Sequence, residues 1–285
     1  MTKKKTIALI AGVVALFAVI AVVYILFGKK EKPAPEPIVT SEITTAAVTT
    51  APPVTSTEPP VTTFPPFVNG LSLKAQEAKK SNSDTVGWIR LSNTAIDYPL
   101  VRTTDNDYYV DHNFYFQEDI GGWTFMDKRC EFEKYSHTDN ILLYGHNMYD
   151  GTMFSNIKKY QHNEAFYEEN PIIEVSSLYE DYQYKVFAFM LCNGLEGSDF
   201  EFWNYINFSH VKDNPRWSFE EYISKINDKS LIRTNVDLKD TDEYLLLSTC
   251  NSGDTTDGTR FVVLARKVRP GEDPLEGTKG SERIR

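Results

Sequence analysis

The sequence predicts a mostly β domain with a few added helices, closed as an antiparallel or mixed barrel, and three observations carry that prediction. After residue 69, eight short runs rich in β-branched and aromatic residues recur, separated by Gly, Pro, Asn and Asp. They do not alternate with helices in the regular manner of a doubly wound sheet. Two of the runs, Asn140–Tyr144 and Tyr244–Thr249, are almost wholly apolar, as strands covered on both faces are.

The elements follow in chain order. GLSLKAQEAKKSNS, from Gly70 to Ser83, reads as a short amphipathic helix packed on the domain. The eight strands are read over Gly87–Leu91, Asp97–Val101, Trp123–Met126, Asn140–Tyr144, Ile172–Ser176, Tyr182–Cys192, Tyr244–Thr249 and Arg260–Val268. Helical signals interrupt them in three places. Met153–Tyr160 follows the turn signal Asp150-Gly151, and Asn163–Asn170 stops at Pro171. Trp217–Lys229 has the best start signal. Ser218 and Glu221 form a capping box, with Trp217 and Tyr222 at the flanking apolar positions. This helix is an insertion before the strand that ends at Cys250.

Two segments of different composition precede the barrel. Ile7–Phe27 is apolar or Gly apart from Tyr24. At about 1.5 Å per residue it is long enough to cross a hydrocarbon core of about 30 Å. Residues 1–6 are read as a short cytoplasmic N-terminus, 7–27 as a transmembrane anchor and 28–69 as a Thr/Pro-rich stalk. Residues 70–270 form the globular domain and 271–285 a polar C-terminal tail. The expected location is the cell membrane, single-pass, with the domain extracytoplasmic. The first 32 residues hold six Lys and one acidic residue, so a chain of net charge −10 leaves −15 to the remainder. Such a surface excludes nucleic acid as a partner.

There are three cysteines, Cys130, Cys192 and Cys250, and no CxxC pair, so no zinc site is expected. A Cys130–Cys192 bridge stays open as an alternative to free thiols. Cys192, inside YKVFAFMLC, reads as a small hydrophobe.

Chemistry gathers at two strand exits. Asn140-Ile-Leu-Leu-Tyr-Gly-His-Asn147 delivers His146, and Tyr244-Leu-Leu-Leu-Ser-Thr-Cys250 delivers Cys250. Arg260 opens the last strand after a polar stretch, Asn251–Gly258. A thiolate is the attacking form of cysteine. A histidine can take its proton and return one to a leaving amine. A guanidinium offers a fixed fork of donors to an oxyanion. His112, His137, His162 and His210 do not leave an apolar strand and are read as structural.

The Leu-Ser-Thr-Cys strand end, the Arg ten residues later and the upstream Tyr-Gly-His-Asn resemble a sortase. Asn93–Leu100, Asp105–Tyr109, Asp150–Ser155, the N-terminal helix and the helical insertion narrow the resemblance to class B sortases. The resemblance covers Leu71 to Val268. It implies an eight-stranded sortase-type barrel and a cysteine transpeptidase with His146, Cys250 and Arg260 as catalytic residues. Ser248, Thr249 and Asn251, flanking the nucleophile, are the expected substrate contacts. The implied reaction cleaves a C-terminal sorting motif of a secreted protein through a thioacyl on Cys250. An amine of lipid II, or another amine nucleophile such as a pilin lysine, then resolves it. No calcium site of the class A kind can be placed, so no metal or cofactor is expected. An L,D-transpeptidase would show His-Gly and a Cys closely followed by Arg, and a papain-like amidase would place Cys before His. The reading from another class is a non-catalytic, membrane-anchored barrel acting as adhesin or scaffold.

Overall fold

The computed structural model of the chain describes residues 70–208, 218–251 and 258–284. Eight strands close one barrel: β1 (Thr85–Arg90), β2 (Asp97–Val101), β3 (Phe125–Met126), β4 (Asn140–Tyr144), β5 (Ile172–Ser177), β6 (Asp181–Asn193), β7 (Tyr244–Cys250) and β8 (Thr259–Lys267). Around the wall the order is β1-β2-β3-β4-β7-β8-β6-β5, and β5 returns to β1. The pairs β2–β3 and β4–β7 are parallel and the other six antiparallel, so the barrel is mixed. Each predicted strand has its counterpart, with ends displaced by a residue or two. Two short ribbons were not predicted: Phe132–Glu133 with Ser136–His137, and Ile232–Arg233 with Glu282–Arg283.

The apolar runs explain the centre of the wall. Ile141, Leu142 and Leu143 of β4 and Leu245, Leu246 and Leu247 of β7 are fully buried, on both faces of the sheet. Burying a Leu or Ile contributes about 1.5–3 kcal/mol, so these neighbours form a stiff core whose exits point the same way.

Helices cover the outside. In α1 (Leu71–Ser81), Leu71 and Ala75 face inward. The Asp181 carboxylate accepts from the Gly70 and Ser72 N–H groups at 2.8 and 2.7 Å, an anion at the helix start where free donors and the dipole favour it. The helix expected over Met153–Tyr160 is a 3-10 turn, Phe154–Lys158, running into α2 (Lys159–His162). The next helix, α3 (Glu164–Glu169), ends before Pro171 as the sequence requires. In the insertion helix α4 (Phe219–Lys229), the Ser218 hydroxyl accepts from the Glu221 N–H at 3.1 Å, as the capping box predicts. Trp217 lies outside the described residues. Tyr222 fixes α4 to the barrel, its ring 4.9 Å from Phe208 and 6.1 Å from Tyr244 on β7.

The segment read as a polar tail folds back along the barrel. The buried Lys185 ammonium donates to Glu272 Oε1 and to the Asp273 and Glu276 carbonyls at 2.8–3.0 Å. Arg266, also buried, donates to the same Glu272 carboxylate. Glu282–Arg283 then pairs with Ile232–Arg233. All three cysteines are free thiols, so the alternative of a Cys130–Cys192 bridge falls.

The single-pass membrane placement is corrected. No helix among the described residues is long and apolar enough to cross a membrane, and segment 7–27, which carried that expectation, lies outside them together with the stalk at 28–69.

Candidate active site

The register of β7 assembles the site. Against β4 it pairs Tyr244 with Asn140 and continues in step to Ser248 with Tyr144. The next step is held by the Thr249 hydroxyl, which donates to the Gly145 carbonyl at 2.8 Å. The paired register stops with β4, which ends at Tyr144, and His146 follows two residues beyond it, as Cys250 follows two beyond Ser248. On the other side, Cys250 lies directly across from Arg260 of β8. Neighbouring strands are about 4.7–4.9 Å apart, and residues level with one another share a face of the sheet. Cys250 thus lies across from the guanidinium-bearing Arg260, with His146 leaving the exit of the other neighbouring strand, and all three residues are only partly buried.

The loop after β4 is built to hold His146. A Cβ on Gly145 would stand 2.7 Å from Phe154 Cγ, so only glycine lets that ring close on the strand exit. The Phe154 N–H donates to the His146 carbonyl at 2.9 Å, and Asn147 bridges to Met153. Ser155 Oγ donates to the Met148 carbonyl at 2.7 Å, and Asp150 accepts from the Thr152 N–H at 3.0 Å. The segment Asp150–Ser155 is therefore a closed turn supporting the histidine. His146 Nε2 lies 2.7 Å from the Val110 carbonyl, which can only accept, so that nitrogen carries a proton. Among the described residues no carboxylate bonds this histidine.

Arg260 is seated by glycine. A Cβ on Gly194 would lie 2.8 Å from Arg260 Cγ, and the Gly194 N–H donates to the Gly258 carbonyl at 2.7 Å. Lys158 reaches the other rim, its ammonium donating to the Asn251 carbonyl next to Cys250. Sequence reasoning missed the Val110 carbonyl, Lys158 and Gly194. The Asp105–Tyr109 motif, just before Val110, was the one available signal.

The expected substrate contacts separate. Ser248 and Thr249 are only 3% and 2% exposed, in the wall itself, and Thr249 spends its hydroxyl on Gly145. Asn251 is half-buried at the rim. Residues 252–257 lie outside the described residues. The other cysteines are unsuited to attack. Burial pushes the Cys130 thiol up to about 11 and the Cys192 thiol up to about 12, so neither yields thiolate at neutral pH. Among the described residues, no three His, Cys, Asp or Glu are grouped to hold a metal ion.

Residues 89–268 match the sortase domain family, over more than half of the chain. The chain belongs to the sortase family. It is 31% identical over 193 residues to sortase B of Listeria monocytogenes, covering 68% of this chain and 73% of that protein. Against sortase B of Staphylococcus aureus it is also 31% identical, covering 68% and 74%. Among solved structures, the Staphylococcus aureus sortase B–substrate complex superposes with a TM-score of 0.59 at 29% identity, over 70% of this chain and 86% of that one. Clostridium perfringens sortase B superposes with a TM-score of 0.58 at 29% identity, over 68% and 99%. The chain is a class B sortase, a cysteine transpeptidase on an eight-stranded mixed barrel.

Proposed function

We propose that this sortase cleaves a sorting signal through Cys250, with His146 as the proton carrier and Arg260 as the oxyanion donor, and passes the acyl group to an amine of a cell-wall precursor. The pairing of Cys250 with Arg260, and the exit of His146 two residues beyond the end of the parallel neighbour β4, support this reading. With Nε2–H held on the Val110 carbonyl, Nδ1 is left to exchange the reacting proton. The thiol proton passes to His146 as sulfur attacks the scissile carbonyl carbon. The carbonyl oxygen becomes an anion facing the Arg260 guanidinium. The C–N bond breaks, His146 returns the proton to the leaving amine, and a thioester remains on Cys250. An incoming amine reverses the sequence, gaining the acyl group while sulfur leaves as thiolate.

Asn251 is the rim residue placed to touch the peptide, and Ser248 and Thr249 serve by fixing the register. That one known structure holds a sortase B–substrate complex and another a sortase B complexed with triglycine supports a peptide donor and an amine acceptor. A pilin lysine would use the same chemistry. The test is cleavage of a quenched fluorescent peptide library by Cys250→Ala, Cys130→Ala and Cys192→Ala proteins. Only the first should be inactive, and appreciable cleavage by it would remove Cys250 from the mechanism.

A further inference from the structure

The segment between Arg102 and Trp123 forms a lobe against the His146 side of the site, and its surface is unusual in two respects. It carries five carboxylates, Asp105, Asp107, Asp111, Glu118 and Asp119, and no Lys or Arg. At its tip Tyr115, Phe116 and Ile120 are 67%, 44% and 89% exposed. Exposed apolar side chains this close together mark contact surfaces.

The lobe is anchored, so these side chains are presented rather than loose. Phe114 is buried beneath them, its ring 5.4 Å from Trp123. Asn82 Nδ2 donates to the Phe114 carbonyl and to Tyr109 Oη, both at 2.8 Å. The Asn113 carboxamide accepts from Tyr115 N–H at 2.9 Å, and Asp119 N–H donates to the Asp111 carbonyl at 2.8 Å. Phe116 is held at φ 61°, a conformation disfavoured for an aromatic residue, and its side chain still faces outward. The lobe meets the site through the Val110 carbonyl on His146, and a Cβ on Gly121 would touch Met148 of the histidine loop at 3.5 Å.

Chemistry then assigns a side. The leaving amine takes its proton from His146, and the acceptor amine gives one back, so both occupy the His146 flank rather than the Arg260 flank. An acceptor amine reaches the enzyme mostly as ammonium, since its pKa is about 8 for an α-amine and about 10 for a lysine. We propose that this acidic, aromatic lobe is the docking surface for the acyl acceptor, which is an amine borne on a cationic and partly apolar carrier. The inference rests on the proposed role of His146. Carboxylates concentrate the ammonium near the thioester, and Tyr115, Phe116 and Ile120 cover the carrier, with the ring faces open to its charge. The ammonium loses one proton to water, and the free amine attacks the thioester carbon. Its surplus proton passes to His146 while the C–S bond breaks and Cys250 leaves as thiolate.

The full-length chain is acylated with N-acetyl-threonine benzyl thioester, which bypasses recognition of a sorting motif. The thioester is then partitioned between water and either Gly-Lys-Lys amide or Gly-Glu-Glu amide. The parent should prefer the lysine peptide, less so as salt rises. Tyr115→Ser with Ile120→Ser should raise the half-saturating acceptor concentration at least about fivefold, the worth of about 1 kcal/mol of contact, while hydrolysis stays within twofold. Asp111→Asn with Glu118→Gln should weaken the charge preference, three of the five carboxylates remaining. A second readout needs no chemistry. Titrating Cys250→Ala full-length chain with Gly-Lys-Lys amide should move the NMR signals of Ile120 and its neighbours, and the Tyr115→Ser, Ile120→Ser form should lose the response. Equal use of both acceptors by the parent, unchanged acceptor saturation in the variants, or an absent titration response would overturn the docking role. Failure to form any thioester on Cys250 would count against the catalytic assignment alone, and the titration would still decide the lobe.

Discussion

Arg260 stands between two thiols, level with Cys250 on β7 and with Cys192 on β6, and only one of them is open. Cys192 is 6% exposed and its thiol is held up at about 12, chiefly by burial and despite the nearby Lys229 and Arg260 charges. Alkylation by iodoacetamide between pH 6 and pH 8 (about the range in which a free thiol begins to ionise) should therefore modify Cys250 in the folded chain. Cys130 and Cys192 should react only on unfolding. The guanidinium itself is tested by Arg260→Lys, which keeps the charge and loses the fork. If Arg260 serves the transition state, acylation should slow by about 10²–10³, roughly 2.7–4 kcal/mol, with the peptide KM little changed. A raised KM at unchanged rate would instead make it a grip on the peptide. His146 answers to a residue outside its own loop. Gly122, at φ 50°, leaves room for the Tyr109 and Val110 carbonyls, which a Cβ would approach to 2.4 and 2.6 Å. Gly122→Ala should displace the carbonyl that holds Nε2 and cost on the order of 10² in kcat/KM by misplacing the imidazole. Its pH–rate profile should shift as well, which loss of stability alone would not produce.

Among the elements, β4, β7 and β8 were legible because their sequences pair an apolar run covered on two faces with a candidate chemical group at or just beyond one end. The Ser218–Glu221 capping box was equally plain, since it is a local device. What sequence did not disclose depends on contacts between distant segments. Lys158 reaches Asn251 across 93 positions, Val110 reaches His146 across 36, and neither has a local signature. The Glu272 segment is the same kind of case, polar in sequence yet packed in the fold because it neutralises Lys185 and Arg266 inside the wall. Burial works against the Glu272 charge, but the Arg266 and Lys185 hydrogen bonds outweigh it and hold the carboxyl at about 2. Its folded pKa is thus below the ordinary value of about 4.3. The stabilisation is present above that value and is lost as pH falls from there towards 2. Glu272→Gln leaves the buried Lys185 without an anion and Arg266 with Asp242 alone, at 4.0 Å, and should cost about 3–5 kcal/mol at neutral pH. In urea melts across that acid range the variant should also decline less steeply than the parent, which keeps the contribution of Glu272 beside those of Asp127 and Glu243. A variant as stable as the parent would show the cluster to be indifferent.

For the whole molecule, residues 70–284 contain α1, all eight barrel strands and every group assigned to the reaction. A chain beginning at Gly70 should therefore fold in one transition and cleave peptide with kcat/KM within about twofold of the full chain, as expected when every described contact of the barrel is kept. Aggregation or loss of activity would mean that residues before Gly70 complete the domain. The central claim is that a thioester forms on Cys250, and mass spectrometry tests it most directly. The full-length chain is mixed with a library of threonine-containing sorting peptides without added amine, quenched in acid and digested. The account predicts an acyl mass on the peptide that contains Cys250, removed by triglycine and absent from the Cys250→Ala protein. Cleavage that continues without such an adduct, or an adduct on Cys130 or Cys192 instead, would contradict it.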